Sequence, residues 1–222
     1  MSLIENLKRH FVLYLAALML GIATAVGVNL AAAHFGVSVK ILTRDPYRAA
    51  VVPPYYAYAS LVGSAAWLIS GASTVATAIV GRRALGARFS DDSTYRILVL
   101  GGAIGLVMAL DDILLFHDAF AEKVGIPEIL FHVVYTAAFV ALFGLSRTVL
   151  ARTPWLLLLG ALGGFGLSSV IDNVFTLDPG LRDNEDVFKL CAIALWALYF
   201  VQVCWQFAGD ARRERVHSAA KQ

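Results

Sequence analysis

The chain has 222 residues, of which 59% are hydrophobic and 15% charged, with a mean hydropathy of +0.72. That is too apolar for an ordinary soluble domain, and a formal net charge of +2 gives no ground for nucleic-acid binding. The expectation is an all-α, polytopic membrane helix bundle. Residues 1–222 are read as a single domain, because the length leaves no room for a separate soluble one.

A bilayer core of roughly 30 Å takes about 20 apolar residues per helix. Six stretches meet that length, at residues 11–33, 55–80, 95–116, 129–149, 155–177 and 187–208. The first follows Lys8 and Arg9 and runs into NLAAAHFG, a pattern that superficially resembles a secretory signal. Its apolar run is too long for one, so it is expected to be a helix. At the start of the second, Pro53, Pro54, Tyr55 and Tyr56 have the character of an interfacial anchor. The sixth carries both cysteines, Cys191 and Cys204, which read as small buried hydrophobes.

Basic residues set the orientation. With the N-terminus cytoplasmic, 12 of the 18 Lys and Arg fall on that side, while 11 of the 16 Asp and Glu fall in the opposite half. Both termini are therefore expected inside, in the inner membrane of a bacterium, with membrane lipids as partners. The C-terminal run ARRERVHSAAK reads as a stop-transfer flank against anionic lipid.

A tandem two-helix repeat links residues 95–149 to 155–208. Gly102, Gly105, Leu106 and Asp111 align with Gly163, Gly166, Leu167 and Asp172, and Glu128, Phe131, Ala137 and Phe143 with Glu185, Phe188, Ala194 and Phe200. That makes eight identities in 28 aligned positions, against roughly two expected by chance at this composition. The glycines are read as close-packing positions between helices. Asn29 in the first stretch would occupy the depth of Asp111 if a third copy existed.

The third stretch, ILVLGGAIGLVMALDDILLFHD, holds Asp111 and Asp112 and closes on His117 and Asp118. An ionisable group at such a depth costs about 3 kcal/mol on insertion scales, so it is normally used or paired. On one continuous helix Asp111, Asp118 and Glu122 would share a face, while Asp112 points roughly 100° away. Asp111, which recurs as Asp172, is therefore the site candidate. Asp112, which gives way to Asn173, is read as a structural neighbour that pairs with a neighbouring helix or caps a kink.

The fourth stretch opens with Glu128 and His132, an i, i+4 pair with the spacing of a two-point metal grip. Its counterpart is Glu185 and Lys189, and a charged lysine is no metal ligand. An ion pair of Lys189 with Asp172 or Asp111 is expected instead. The candidate metal ligands are Asp111, His117, Glu128, His132 and Asp172, holding a divalent cation, with zinc the best match to mixed carboxylate and imidazole donors. Asp111 and Asp172 are the candidate catalytic residues. His34 is a weaker ligand candidate, and Ser60, Ser64, Ser168 and Ser169 are candidate polar lining. Haem between His117 and His132 is disfavoured by the crowd of carboxylates.

These residues suit a metal-dependent hydrolase acting on a lipid-like or small substrate, through a pocket open to the outer face. The alternatives are a proton- or cation-coupled transporter and an accessory subunit of a membrane complex. A purely structural network of these carboxylates with Lys189, Arg182 and hydroxyls accounts for the same sequence. The last stretch lacks the paired HxxxH of alkaline-ceramidase-type hydrolases, and GFGLSS lacks the glycine that follows a rhomboid nucleophile.

Overall fold

The computed structural model describes residues 2–43, 57–85, 93–114, 116, 121–174 and 179–219. Ten helices account for nearly all of them, and no strand occurs among the described residues. In chain order they are α1 (Leu3–Arg9), α2 (Phe11–Phe35), α3 (Val39–Thr43), α4 (Tyr58–Leu85), α5 (Ser93–Leu114), α6 (Ala121–Val124), α7 (Glu128–Leu145), α8 (Arg147–Leu150), α9 (Trp155–Val174) and α10 (Pro179–Ala219).

Among the described residues, four helices are long and apolar enough to cross a membrane: Phe11–Phe35, Tyr58–Arg83, Ser93–Leu114 and Glu185–Gly209. The fourth and fifth of the six anticipated stretches form α7 and α9, whose apolar segments Val133–Leu145 and Trp155–Ile171 are shorter. Glu128 and His132 occupy the first turns of α7, and Asp172 and Asn173 the last turn of α9.

Local chemistry sets the helix ends. Ser2 caps α1 through a reciprocal box: the Glu5 N–H donates to Ser2 Oγ at 3.3 Å and the Ser2 N–H to Glu5 Oε2 at 2.7 Å. Those bonds hold the Glu5 carboxyl below its usual range. Gly36 ends α2 in the left-handed region, at φ 66°, where a side chain would be strained.

Buried polar contacts fix the direction of each helix. At the near end, which carries the N-terminus, the Asn6 side chain donates to the Thr153 carbonyl at 2.9 Å and accepts from the Tyr14 hydroxyl, and Thr153 Oγ1 lies 3.1 Å from the Tyr199 hydroxyl. This ties α1 and α2 to the turn before α9 and to the later half of α10. His10 is buried beside this network, and burial followed by the Arg9 charge pushes its imidazole below its usual pKa. At the far end, Lys189 of α10 meets Asp112 in the last turn of α5, Thr43 Oγ1 of α3 donates to Asp186 of α10 at 2.6 Å, and the Ala57 N–H donates to the Ile41 carbonyl at 3.1 Å. Helices α2, α5 and α9 therefore run from near to far, and α4, α7 and α10 return.

Lipid tails are as apolar as leucine, so packing and polar contacts, not apolar burial from water, hold membrane helices together. The closest pairs are α4 with α5 and α9 with α10. Gly71, Gly102 and Gly105 make the first approach possible: a Cβ at Gly71 would lie 2.8 Å from the Leu106 nitrogen, and one at Gly102 2.7 Å from Val75. Gly164 plays the same part against Ala192, at 2.9 Å. The two halves of the anticipated repeat are not packed alike. Gly102 and Gly105 are buried against α4, whereas at the aligned Gly163 and Gly166 an added Cβ would meet nothing within 4 Å. Asn29 is exposed and bonds to the Ala25 carbonyl of its own helix, with no polar partner from another helix among the described residues.

The core lies at mid-height. Trp67 of α4, Trp196 and Phe200 of α10, Phe139 of α7 and Phe165 of α9 form one aromatic cluster, with Trp67 stacked on Phe165 and Phe139 stacked on Phe165.

Candidate functional site

Helix α7 packs on α5 and α8 and stands away from α9 along most of its length. The space between is a groove of about 1070 Å³ bounded by α5, α7, α9 and α10. A four-residue step builds one wall: Phe131, Tyr135, Phe139 and Phe143 fall on one face of α7 and all line the groove. Leu159, Leu162, Phe165 and Gly166 of α9 supply the other wall. The Phe139–Phe165 stack, with ring centroids 6.0 Å apart, forms a floor backed by Trp67 and Trp196. On the open side the lining residues Val140 and Leu159 are 66% and 48% exposed, so the groove faces outward from the bundle.

Polar groups gather at the far end, where Asp111, Asp112, Tyr135, Ser168, Ser169, Glu185 and Lys189 all line the groove. Asp111 and Asp112 are buried, at 3% and 7% exposure. They diverge as their spacing predicts. The Tyr135 hydroxyl donates to Asp111 across the groove, while Lys189 Nζ donates to Asp112 Oδ1 at 2.8 Å. Asp112 is thus the structural neighbour, paired to another helix through Lys189, while the side chain of Asp172, an expected partner of Lys189, lies outside the described residues. The pairing follows from register: α5 and α10 cross so that position 112 faces Lys189, and sequence spacing does not report a crossing. Asp112 and Lys189 also line a second cavity of about 20 Å³ with Thr43, Ser60 and Asp186, room for about one water. The ion pair is therefore the partition between the groove and this small polar chamber.

At the near end the groove closes on Arg147, Leu150, Ala151 and Trp155. Its two ends thus carry different charge, three carboxylates with one lysine at the far end and a guanidinium at the near end.

Of the five anticipated metal ligands, Asp111 is placed in the groove. His117 lies outside the described residues, as does Asp118, and so do the side chains of Glu128, His132 and Asp172. The backbone carries positions 128 and 132 on the first turns of α7 and position 172 on the last turn of α9, at the same end as Asp111. Among the described residues no group of three His, Cys, Asp or Glu side chains comes together as a metal site. Asp111 lies in α5 and Glu122 in α6, and residues 115 and 117–120 between them lie outside the described residues, so the face expected to be shared by Asp111, Asp118 and Glu122 does too. His34 sits exposed in the last turn of α2, edge-on to Phe35. Ser168 and Ser169 line the groove, Ser60 lines the small chamber, and Ser64 bonds to the Ser60 carbonyl of its own helix. Cys191 and Cys204 are free thiols within α10, Cys191 set against the Gly21 carbonyl and Cys204 against Thr74.

Residues 11–203, which hold the whole groove, match the family model described as a domain of unknown function, DUF8692. The chain belongs to the DUF8692 family. No curated protein and no solved structure matches it. The description of DUF8692 assigns no activity, so the roles of its residues in this chain rest on their chemistry. Tyr135 and Arg147 were missed at the level of sequence, although the aromatic step through α7 was a readable signal for a continuous lined face.

Proposed function

We propose that this DUF8692 protein is a six-span membrane protein whose groove holds a lipid-like amphiphile, polar group at Asp111 and apolar part along the aromatic floor. The observation that carries this reading is the groove itself, which is mostly apolar, open at membrane depth and polar at one end. Binding sites for small molecules share that plan, apolar walls with a few placed polar groups. Asp111 and Tyr135 offer an acceptor and a hydroxyl to the same head group, and Lys189 adds a donor beside them.

Lipid extraction and mass spectrometry of protein purified in mild detergent test it. An amphiphile retained near one per chain is expected, and Asp111→Asn should lower retention by about tenfold, the loss of one charge-assisted hydrogen bond. Equal retention by both proteins overturns the reading.

Metal-assisted hydrolysis of the bound amphiphile extends this proposal. Its support is the convergence of positions 111, 128, 132 and 172 on one end of the bundle. A divalent cation would supply a polarised carbonyl or an activated water there. Stoichiometric metal in chelator-free protein, lost in Asp111→Ala, upholds the extension, and metal-free protein removes it.

A further inference from the structure

We infer that the groove is loaded sideways from the bilayer, by the acyl or isoprenoid chain of a membrane lipid sliding between α7 and α9, and that Gly144 and Gly166 keep this passage open. The inference rests on the amphiphile reading and adds to it the source of the ligand and the residues that admit it.

Two rims face each other across the opening. On α7, Thr136, Val140 and Gly144 recur at four-residue steps, and all three are exposed while lining the groove. On α9, Leu159, Leu162, Gly166 and Ser169 recur at three- and four-residue steps and line the opposite side. Apart from Thr136 and Ser169 the rims are apolar or lack a side chain. A water-soluble ligand would have to shed its hydration to pass them, whereas a lipid chain already in hydrocarbon exchanges like for like.

The two rim glycines have no packing explanation. A Cβ built on either would meet nothing within 4 Å, in contrast to Gly71, Gly102 and Gly164, where neighbours already touch the missing side chain. A glycine within a helix costs about 1 kcal/mol relative to alanine. Here it leaves the width of the opening. Behind the rims the Phe139–Phe165 floor gives a flat aromatic bed, and the groove continues toward Trp155 at the near end. Phe131 and Gly144 stand at opposite ends of the groove-lining face of α7, about 20 Å of wall at the helical rise, a length suited to a long chain.

Trp155 lines the groove and reports on its contents, while Trp205 is 77% exposed and reports on the surrounding bilayer. The experiment reconstitutes the full chain carrying Trp205→Phe in vesicles of phosphatidylcholine with brominated acyl chains, and reads quenching of tryptophan fluorescence. Comparison with the same protein also carrying Trp155→Phe isolates the Trp155 signal. Quenching at Trp155 is expected, and Gly144→Leu with Gly166→Leu should reduce it by at least about half. Gly144→Ala with Gly166→Ala provides the milder pair, with a smaller loss in the same direction. Both substitutions enter open space, and circular dichroism checks that the helices persist. Trp155 quenching that is absent, or unchanged in the double-leucine protein, overturns the inference. Asp111-dependent retention of an amphiphile alongside absent or unchanged quenching removes sideways loading and leaves the binding reading standing. Loss of both removes both.

Discussion

Asp111 and Asp112 are adjacent in sequence and differ in work, because a helix turns about 100° between them. That divergence was legible from spacing, as was the reading of Asp112 as the structural member. The pairing of Asp112 with Lys189 was not, since it depends on how α5 crosses α10. The pair is buried on the aspartate side and 31% exposed on the lysine side. Removing one member of a fully buried pair costs about 3–5 kcal/mol, mostly for the charge left alone. Lys189→Ala should therefore destabilise by somewhat less than that, because water reaches the lysine. Lys189→Met combined with Asp112→Leu removes both charges and should recover most of the loss. Thermal unfolding in one detergent compares the three proteins. A double variant as unstable as Lys189→Ala would show that the charge left on Asp112 is not the cause.

Helix identity was legible for all six apolar stretches, because length and hydropathy suffice to mark them. Helix pairing was not. The aligned identities suggested that residues 95–149 and 155–208 are like units, yet the tight partner of α5 is α4, and α7 stands off to open the groove. Glycine shows why the pattern does not report packing. The residue type is the same at Gly102 and Gly163, but one lies against a neighbouring backbone and the other against open space. At Gly71, which the repeat did not single out, an added methyl would fall 2.8 Å from the Leu106 nitrogen and 3.0 Å from the Gly102 carbonyl oxygen. Backbone cannot swing aside as a flexible side chain does. Gly71→Ala should cost about 1–3 kcal/mol of stability through overpacking. Gly163→Ala should be neutral or gain up to about 1 kcal/mol from helix propensity. Melting temperatures of the two variants, measured side by side, check the opposite signs.

For the whole molecule, the question that shapes function is whether α7 and α9 cross the bilayer, since the groove lies between them. Twenty residues of α9 rise about 30 Å and eighteen of α7 about 27 Å, close to the roughly 30 Å of a hydrocarbon core. Alternating direction adds a second argument. The near end gathers Lys8, Arg9, Arg82, Arg83, Arg96, Arg147 and Arg152, and the far end Asp111, Asp112, Glu185 and Asp186. Basic residues are held on the cytoplasmic side, so the near end should face the cytoplasm and the far end the opposite compartment. The sequence carried that charge asymmetry in full. What it did not carry was the groove, which exists because α7 leans on α5 and not on α9. Reporter fusions decide the topology. Green fluorescent protein after residue 222 should fluoresce, and alkaline phosphatase inserted after Gly125, between α6 and α7, should be active. The same enzyme fused after Arg152 should be inactive. Activity at Arg152 would mean that α7 re-enters without crossing, and the polar end of the groove would then lie on the same side as its arginine.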